Sequence, residues 1–329
     1  MGFAVPVHFR RWALLAVVCL SLWGAAFSAV QGAPRREREP ASVAASRPPS
    51  PQQERGKLDA SLQLTDSWLY LPVVAAVEVP PTLNPAEEVL IPAGPFLMGC
   101  DSSLAWEACR VDERPLHSVE LDAYAIDRYE VTNARYQACV EAGVCRTPRS
   151  RGSNTRSFYY GNPAYANYPV LHTNWHDARN LCSWEGKRLP TEAEWEKAAR
   201  GERDTRMYPW GDEPRDCRLG NFDVVVDGRR VWCVGDTTEI GTYPEGASPY
   251  GVMDMAGNVR EWVNDLYASN YYSFSPVHNP QGPATGSDHL LRGGSWDNHF
   301  DYMRVARRVV TFPERSNNLY GFRCARSLP

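Results

Sequence analysis

The chain has 329 residues, 43% of them hydrophobic and 22% charged, with a net charge of -4. That is enough for one large domain or two small ones, and with no basic run beyond the N-terminal segment it disfavours nucleic acid as a partner. Only Lys57, Lys187 and Lys197 among the 35 basic residues are lysines, a bias that points to no function.

His8, Arg10 and Arg11 precede an apolar run from Trp12 to Phe27, and small residues follow to Ala33. A charged start, an apolar centre and small residues predict a secretory signal peptide over residues 1–32. Trp12 to Val30 is also long enough for an uncleaved anchor. A lipid-bearing Cys19 is disfavoured, because Val18 stands where a small residue is needed. Each alternative exports the rest of the chain, so a secreted or periplasmic location is expected, membrane-bound only if residues 12–30 stay attached. Beyond Cys19 the chain holds Cys100, Cys109, Cys139, Cys145, Cys182, Cys217, Cys233 and Cys324. An even number of cysteines in an exported chain predicts disulfides, and the lack of a Cys-x-x-Cys pair disfavours zinc.

Residues 33–56 are rich in Pro, Ser, Ala and charge, so they bury too little surface to offset the entropy of ordering. Residues 58–85 are ambiguous: Trp68 to Val79 is apolar, contains Pro72 and is too short to span a membrane. A poorly ordered linker is expected over residues 33–86 and a folded domain over 87–329. Val89-Leu90-Ile91 and Phe96-Leu97-Met98 flank Pro92 to Pro95 and predict two short strands around a turn. His117 to Glu130 alternates as one further strand. Thr132 caps a predicted helix through Val140 that buries Tyr136, Cys139 and Val140 and ends at Gly143. Asn174 caps a second, which carries Ala178, Leu181 and Cys182 and stops at Gly186. Thr191 and Glu194 form a capping box that opens a third, running through Trp195 and Ala199 to Gly201. Beyond it come short pieces punctuated by Gly, Pro and Trp, which predicts an α+β domain with much irregular structure and no internal repeat.

Tyr250 to Tyr267 carries the most information. Gly257-Asn258 is a turn signal. Asn258 and Glu261 stand at the spacing of a helix-capping pair. The same side chains, with the Val259 carbonyl, also offer oxygens to a hard cation such as calcium. His172 and His176 lie four apart, but Asn174 starts a helix between them, so a structural role is favoured. Gly293-Gly294-Ser295 lacks the spacing of a hydrolase nucleophile elbow. Arg292, Arg304, Arg307 and Arg323 either line a groove or pair with Asp254, Glu261 and Asp297; pairing is favoured because buried charges need partners.

The order of the blocks is specific. Ile91 to Phe96 with Met98-Gly99 is followed by Asp127 to Asn133, Gly186 to Glu196, Tyr208 to Gly211, Gly251 to Trp262, Arg292 to Trp296 and Gly321 to Cys324. The chain resembles the formylglycine-generating enzyme family, also called the sulfatase-modifying factor family, from about Glu87 to Pro329. The resemblance implies a C-type-lectin-like fold with little regular secondary structure and bound calcium. It strengthens the site at Asn258, Val259 and Glu261 and suggests another near Asn221 and Phe222.

The family's best-known activity oxidises a sulfatase cysteine to formylglycine with copper and oxygen, the copper held by two cysteines. Those cysteines correspond to Asn298 and Met303 here, and the family's active-site Ser corresponds to Ser295. Copper(I) favours thiolates and an amide is a poor replacement, so the copper site is not expected. Cys100-Cys109, Cys139-Cys145 and Cys217-Cys233 are near in sequence, which leaves Cys182 for Cys324. The family's helix-to-C-terminus disulfide falls on those same two positions. The expectation is therefore an exported binding or scaffold protein, with an unknown peptide, protein or small molecule near Ser295. The alternatives are a formylglycine-generating oxidase with an altered metal site, or another oxidation on the same fold.

Overall fold

The computed structural model describes residues 86–103, 109–212 and 216–329. The expected export segment and all but the end of the expected linker lie outside the described residues. In chain order the strands and helices are β1 (Glu88–Ile91), β2 (Gly94–Met98), β3 (His117–Leu121), β4 (Tyr124–Asp127), α1 (Asn133–Glu141), α2 (Trp175–Trp184) and α3 (Glu192–Arg200). Then follow β5 (Asp223–Val226), β6 (Arg229–Trp232), β7 (Arg260–Leu266), β8 (His289–Arg292), β9 (Val309–Thr311), β10 (Tyr320–Phe322) and β11 (Ala325–Ser327). Among the described residues no element exceeds ten residues.

The three helices start where their capping side chains predict. Thr132 accepts from Arg135 N, Asn174 and Asp177 form a reciprocal box, and so do Thr191 and Glu194. Each satisfies amides that the first turn leaves without an intrahelical partner. Gly143, Gly186 and Gly201 follow the helices with positive φ, a conformation cheap for glycine.

The strands are less local. β1 and β2 flank the turn at Pro92 and Ala93 as expected, yet they do not pair with each other. β1 joins β4 and β11 in an antiparallel sheet, while β2 pairs with β3. The expected single strand over His117 to Glu130 is two strands, interrupted at Asp122-Ala123, and each half serves a different sheet. The central sheet has the order β10-β7-β8-β9, with β10 parallel to β7 and the other pairs antiparallel. β5 and β6 form a hairpin whose turn residues, Asp227 and Gly228, both have positive φ, as an Asp-Gly turn requires.

One hydrophobic cluster joins the two N-terminal sheets to Trp195, Ala198 and Ala199 of α3. A second gathers α1, α2, Trp262 and Phe322 around Cys182 and Cys324. Trp195 and Trp262 are fully buried. Each hides about 150–250 Å², roughly 4–6 kcal/mol of gross transfer energy at about 25 cal/mol/Å². α3 departs from the usual amphipathic plan, because all nine of its residues, EAEWEKAAR, are buried. Its charges survive burial through specific partners: Lys197 Nζ donates to the carbonyls of Pro92 and Gly94, both at 2.8 Å, and Glu192 and Glu196 meet arginines. Among the described residues, no helix is long and apolar enough to cross a membrane.

Candidate functional site

Gly257 and Asn258 both take positive φ, 100° and 56°, so the predicted turn is present. A Cβ on Gly257 would lie 2.4 Å from the Asn221 carbonyl oxygen, which only glycine avoids. The helix expected after this turn is absent. Residues 260–266 are strand β7, and Glu261 caps nothing. The reason is tertiary: β7 is central, and Glu261 points inward to Arg323. The Arg323 guanidinium donates from Nε to Oε2 at 2.6 Å and from Nη2 to Oε1 at 2.7 Å, and Trp195 Nε1 adds a third bond at 2.8 Å. A two-pronged buried pair outweighs a local capping preference worth about 1 kcal/mol.

Asn258 is a hub. Its Nδ2 donates to Glu130 Oε2 at 2.7 Å, its Oδ1 accepts from Thr238 N at 2.9 Å, and its own amide donates to the Asn221 carbonyl at 2.8 Å. Glu130 Oε1 takes the Val259 amide at 3.2 Å. The residues chosen from the sequence, Asn221, Phe222, Asn258, Val259 and Glu261, are thus neighbours in one buried region. Burial, with Asp254 and Glu261 adding repulsion, holds the Glu130 carboxyl well above its usual range. Burial also raises Asp254 to about 6, against the opposing pull of the Gly241 amide and Arg323. Three carboxyl groups, Glu130, Asp254 and Glu261, thus face the one guanidinium of Arg323, and the first two hold their protons to higher pH than usual.

A hard cation is tested by the oxygens left over. Asn221 Oδ1 is buried without a hydrogen-bond partner. Asn221 Nδ2 donates to the Asp236 carbonyl at 2.7 Å, and the Phe222 carbonyl accepts from Cys233 N at 2.9 Å. Asn221 Oδ1 fits a cation that prefers oxygen ligands, whereas Glu261 and the Phe222 carbonyl are already engaged. Among the described residues, no group of three His, Cys, Asp or Glu is arranged to hold a metal ion.

The residues at the family's copper positions do not fit copper(I). Asn298 Oδ1 accepts from Ser295 N at 3.0 Å, Ser295 Oγ at 2.9 Å and Arg260 Nε at 2.8 Å. The Arg260 charge thus sits where a cation would have to bind. Met303 is fully buried among Met207, Tyr208, Phe222 and Ala256. It packs so tightly on Gly294 that a Cβ there would lie 2.2 Å from the Met303 methyl group. Ser295 is itself fully buried and spends its hydroxyl on Asn298, the role of a turn residue. The His299 ring packs against the Phe300 ring at a tilt of 45°. The exposed surface beside this turn belongs to Trp232, whose Nε1 donates to Asp297 at 2.8 Å, and to Arg230.

The four arginines pair rather than line a groove, mostly with partners other than those expected. Only Arg323 takes an expected one, Glu261. Arg292 binds Glu192 and Glu196, Arg304 binds Glu113 and Asp301, and Arg307 lies 3.5 Å from Glu113. Asp297 meets Arg230. Glu113, Glu130 and Glu192 escaped the sequence reading because their partners lie far along the chain, and so does Arg292, which Glu196 binds besides its near neighbour Arg200. His172 bonds the Gly152 carbonyl at 3.0 Å and His176 approaches Glu314, so they share no site.

All eight cysteines of residues 100–324 are in disulfides: Cys100–Cys109, Cys139–Cys145, Cys182–Cys324 and Cys217–Cys233. Four disulfides indicate an oxidising, extracytoplasmic environment.

The family model "Sulfatase-modifying factor enzyme 1-like domain" matches residues 74–328. The chain is 35% identical to a formylglycine-generating enzyme of Streptomyces coelicolor, over 76% of this chain and 93% of that one. It is 36% identical to serine/threonine-protein kinase pkn1 of Chlamydia caviae over 76% of this chain, and it spans only 40% of that relative's length. In structure it matches PvdO from Pseudomonas aeruginosa with a TM-score of 0.60 and 27% identity, over 73% of this chain and 94% of that one. The α+β, disulfide-stapled architecture, the ordered blocks and these matches agree: the chain belongs to the formylglycine-generating enzyme, or sulfatase-modifying factor, family.

Proposed function

We propose that this chain is an exported member of the family that lacks the copper-dependent oxidase activity and works as a binding or scaffold module. The observation that carries this reading is the pair Asn298 and Met303. One is locked by Ser295 and Arg260 and the other is packed under Gly294, while the eight cysteines that might replace them are consumed in disulfides. Oxygen activation on copper(I) needs thiolate donors, and neither an engaged amide nor a guanidinium-flanked turn provides them. The partner would be a peptide, protein or small molecule at the surface beside Ser295, where Trp232 is exposed.

The test is a Cys-x-Pro-x-Arg peptide incubated with the protein, copper(I) and reductant. Mass spectrometry should find the peptide unchanged. Formylglycine made by the unmodified protein would instead support the reading suggested by the Streptomyces coelicolor relative, an oxidase with an altered metal site.

Calcium is the cofactor we propose, held by Asn221 Oδ1 with other oxygens of the Asn258–Val259 turn, as a structural ion that offsets the buried carboxylates. A ligand that binds only the native state at a hundred times its Kd stabilises by about 2.7 kcal/mol. Chelator should therefore lower the melting temperature by roughly 5–10 °C, at about 2–4 °C per kcal/mol, and added calcium should restore it. An unchanged melt would leave Asn258 as a hydrogen-bond hub alone.

A further inference from the structure

A cavity of about 320 Å³ opens at the C-terminal end of α3, between residues 200–206 and the Pro249-Tyr250 segment. Its walls are fixed. Gly201 abuts Pro249 so closely that a Cβ would lie 3.0 Å from the ring, and Gly201 takes the positive φ that ends the helix. Arg200 is anchored behind, with Nη2 on the Gly99 carbonyl at 2.7 Å and on Glu196 at 2.9 Å.

The charges on this cavity do not all cancel within the protein. Arg206 is neutralised by Asp204 and Arg200 by Glu196. Arg203 and Glu202 are different: both line the cavity, both are exposed, and neither makes an ion pair or hydrogen bond among the described residues. The cavity thus offers one cation, one anion and a wall formed by Pro249 and Tyr250. Its volume is at the lower end for small-molecule sites.

We propose that this cavity binds a small zwitterion of the amino-acid type, its carboxylate facing Arg203 and its ammonium facing Glu202. A simple anion would be repelled by Glu202, and a simple cation by Arg203. A charge-assisted hydrogen bond from guanidinium to carboxylate is the stronger of the two contacts. The site is separate from the Ser295 turn and does not depend on the reading of Asn298 and Met303.

Three probes of one shape test this: phenylalanine, 3-phenylpropionate, which lacks the amine, and phenethylamine, which lacks the carboxylate. Each is titrated against the full chain by ligand-observed saturation-transfer NMR. Phenylalanine should bind saturably and at least 10-fold more tightly than either relative. Arg203→Ala and Glu202→Gln should each weaken it about 10-fold. Residues 202 and 203 are exposed, so the variants should melt with the unmodified protein and an effect on binding is not one on folding. The proposal is overturned if no probe binds, if 3-phenylpropionate binds as well as phenylalanine, or if both charge variants bind phenylalanine unchanged.

Discussion

Replacing Cys182 and Cys324 together by alanine lowers the melting temperature by roughly 10–20 °C, the largest stability loss expected from removing any one of the four links. The bond joins residues 142 apart. In the chain-entropy account, closing a loop of that length stabilises by about 5 kcal/mol, because the linked unfolded chain has fewer conformations to lose. For a domain of this size each kcal/mol moves the midpoint by about 2–4 °C. The comparison is the Cys139–Cys145 link, whose partners are only 6 apart. The same account gives it about 2 kcal/mol. Both sulfurs of the long link are fully buried among α2 and the last strands, so its loss also loosens the packing around Trp262 and Phe322. Calorimetry of the two double variants decides the matter. Equal losses from the long and short links would show that loop length is not what makes the Cys182–Cys324 bond matter.

The helix starts and the three short disulfides were legible because their signals are local, and the long Cys182–Cys324 link followed from the remaining pair together with the family resemblance. Thr132, Asn174 and Thr191 bond amides three residues away, so the spacing alone carries the information. The hairpin at Asp227-Gly228, between Val224-Val225-Val226 and Arg229 to Trp232, carries an equally local signal that the sequence reading missed. The pairing of β1 with β4 and of β2 with β3 was not legible, because either arrangement satisfies the same short apolar runs. Glu261 shows the same limit for a single residue. Its helix-capping spacing is real, but its partner Arg323 lies 62 residues away, and no periodicity reports that bond. α3 misleads for a related reason. Its Glu and Lys residues resemble a solvated face, and only the surrounding arginines and the β1–β2 turn make their burial tolerable. At the family's catalytic positions the missing cysteines were plain. What replaced them, a turn closed on Arg260, depended on the fold.

Arg323→Met should destabilise the protein by about 3–5 kcal/mol, the cost of leaving a buried charge without its partner. Arg323 is fully buried and bonds Glu261 through the Nε–Nη2 edge of its guanidinium, and the carbonyls of Asp127, Arg128 and Met253 take its other N–H groups. It also faces the three carboxyl groups, attracting Glu130 and Asp254 as well as Glu261. The loss should therefore depend on pH, with a sign the raised carboxyls fix. Asp254 is held at about 6 in the fold, mainly by burial, against about 3.9 in an unfolded chain. A carboxyl raised in this way contributes stability that is present below the unfolded value and is lost as pH rises through the folded one. Glu130 is raised by burial and by its acidic neighbours, so it acts in the same direction. Without Arg323 both groups hold their protons to still higher pH. The penalty of the variant should then be greatest near pH 8 and shrink towards pH 5, as protonation removes the charge that the guanidinium balanced. Urea unfolding of both proteins across that range measures it, and adding Glu261→Gln to Arg323→Met should recover part of the loss because the pair is coupled. A penalty below about 1 kcal/mol at pH 8, or one that grows on acidification, would mean that Arg323 does not hold this acidic cluster together.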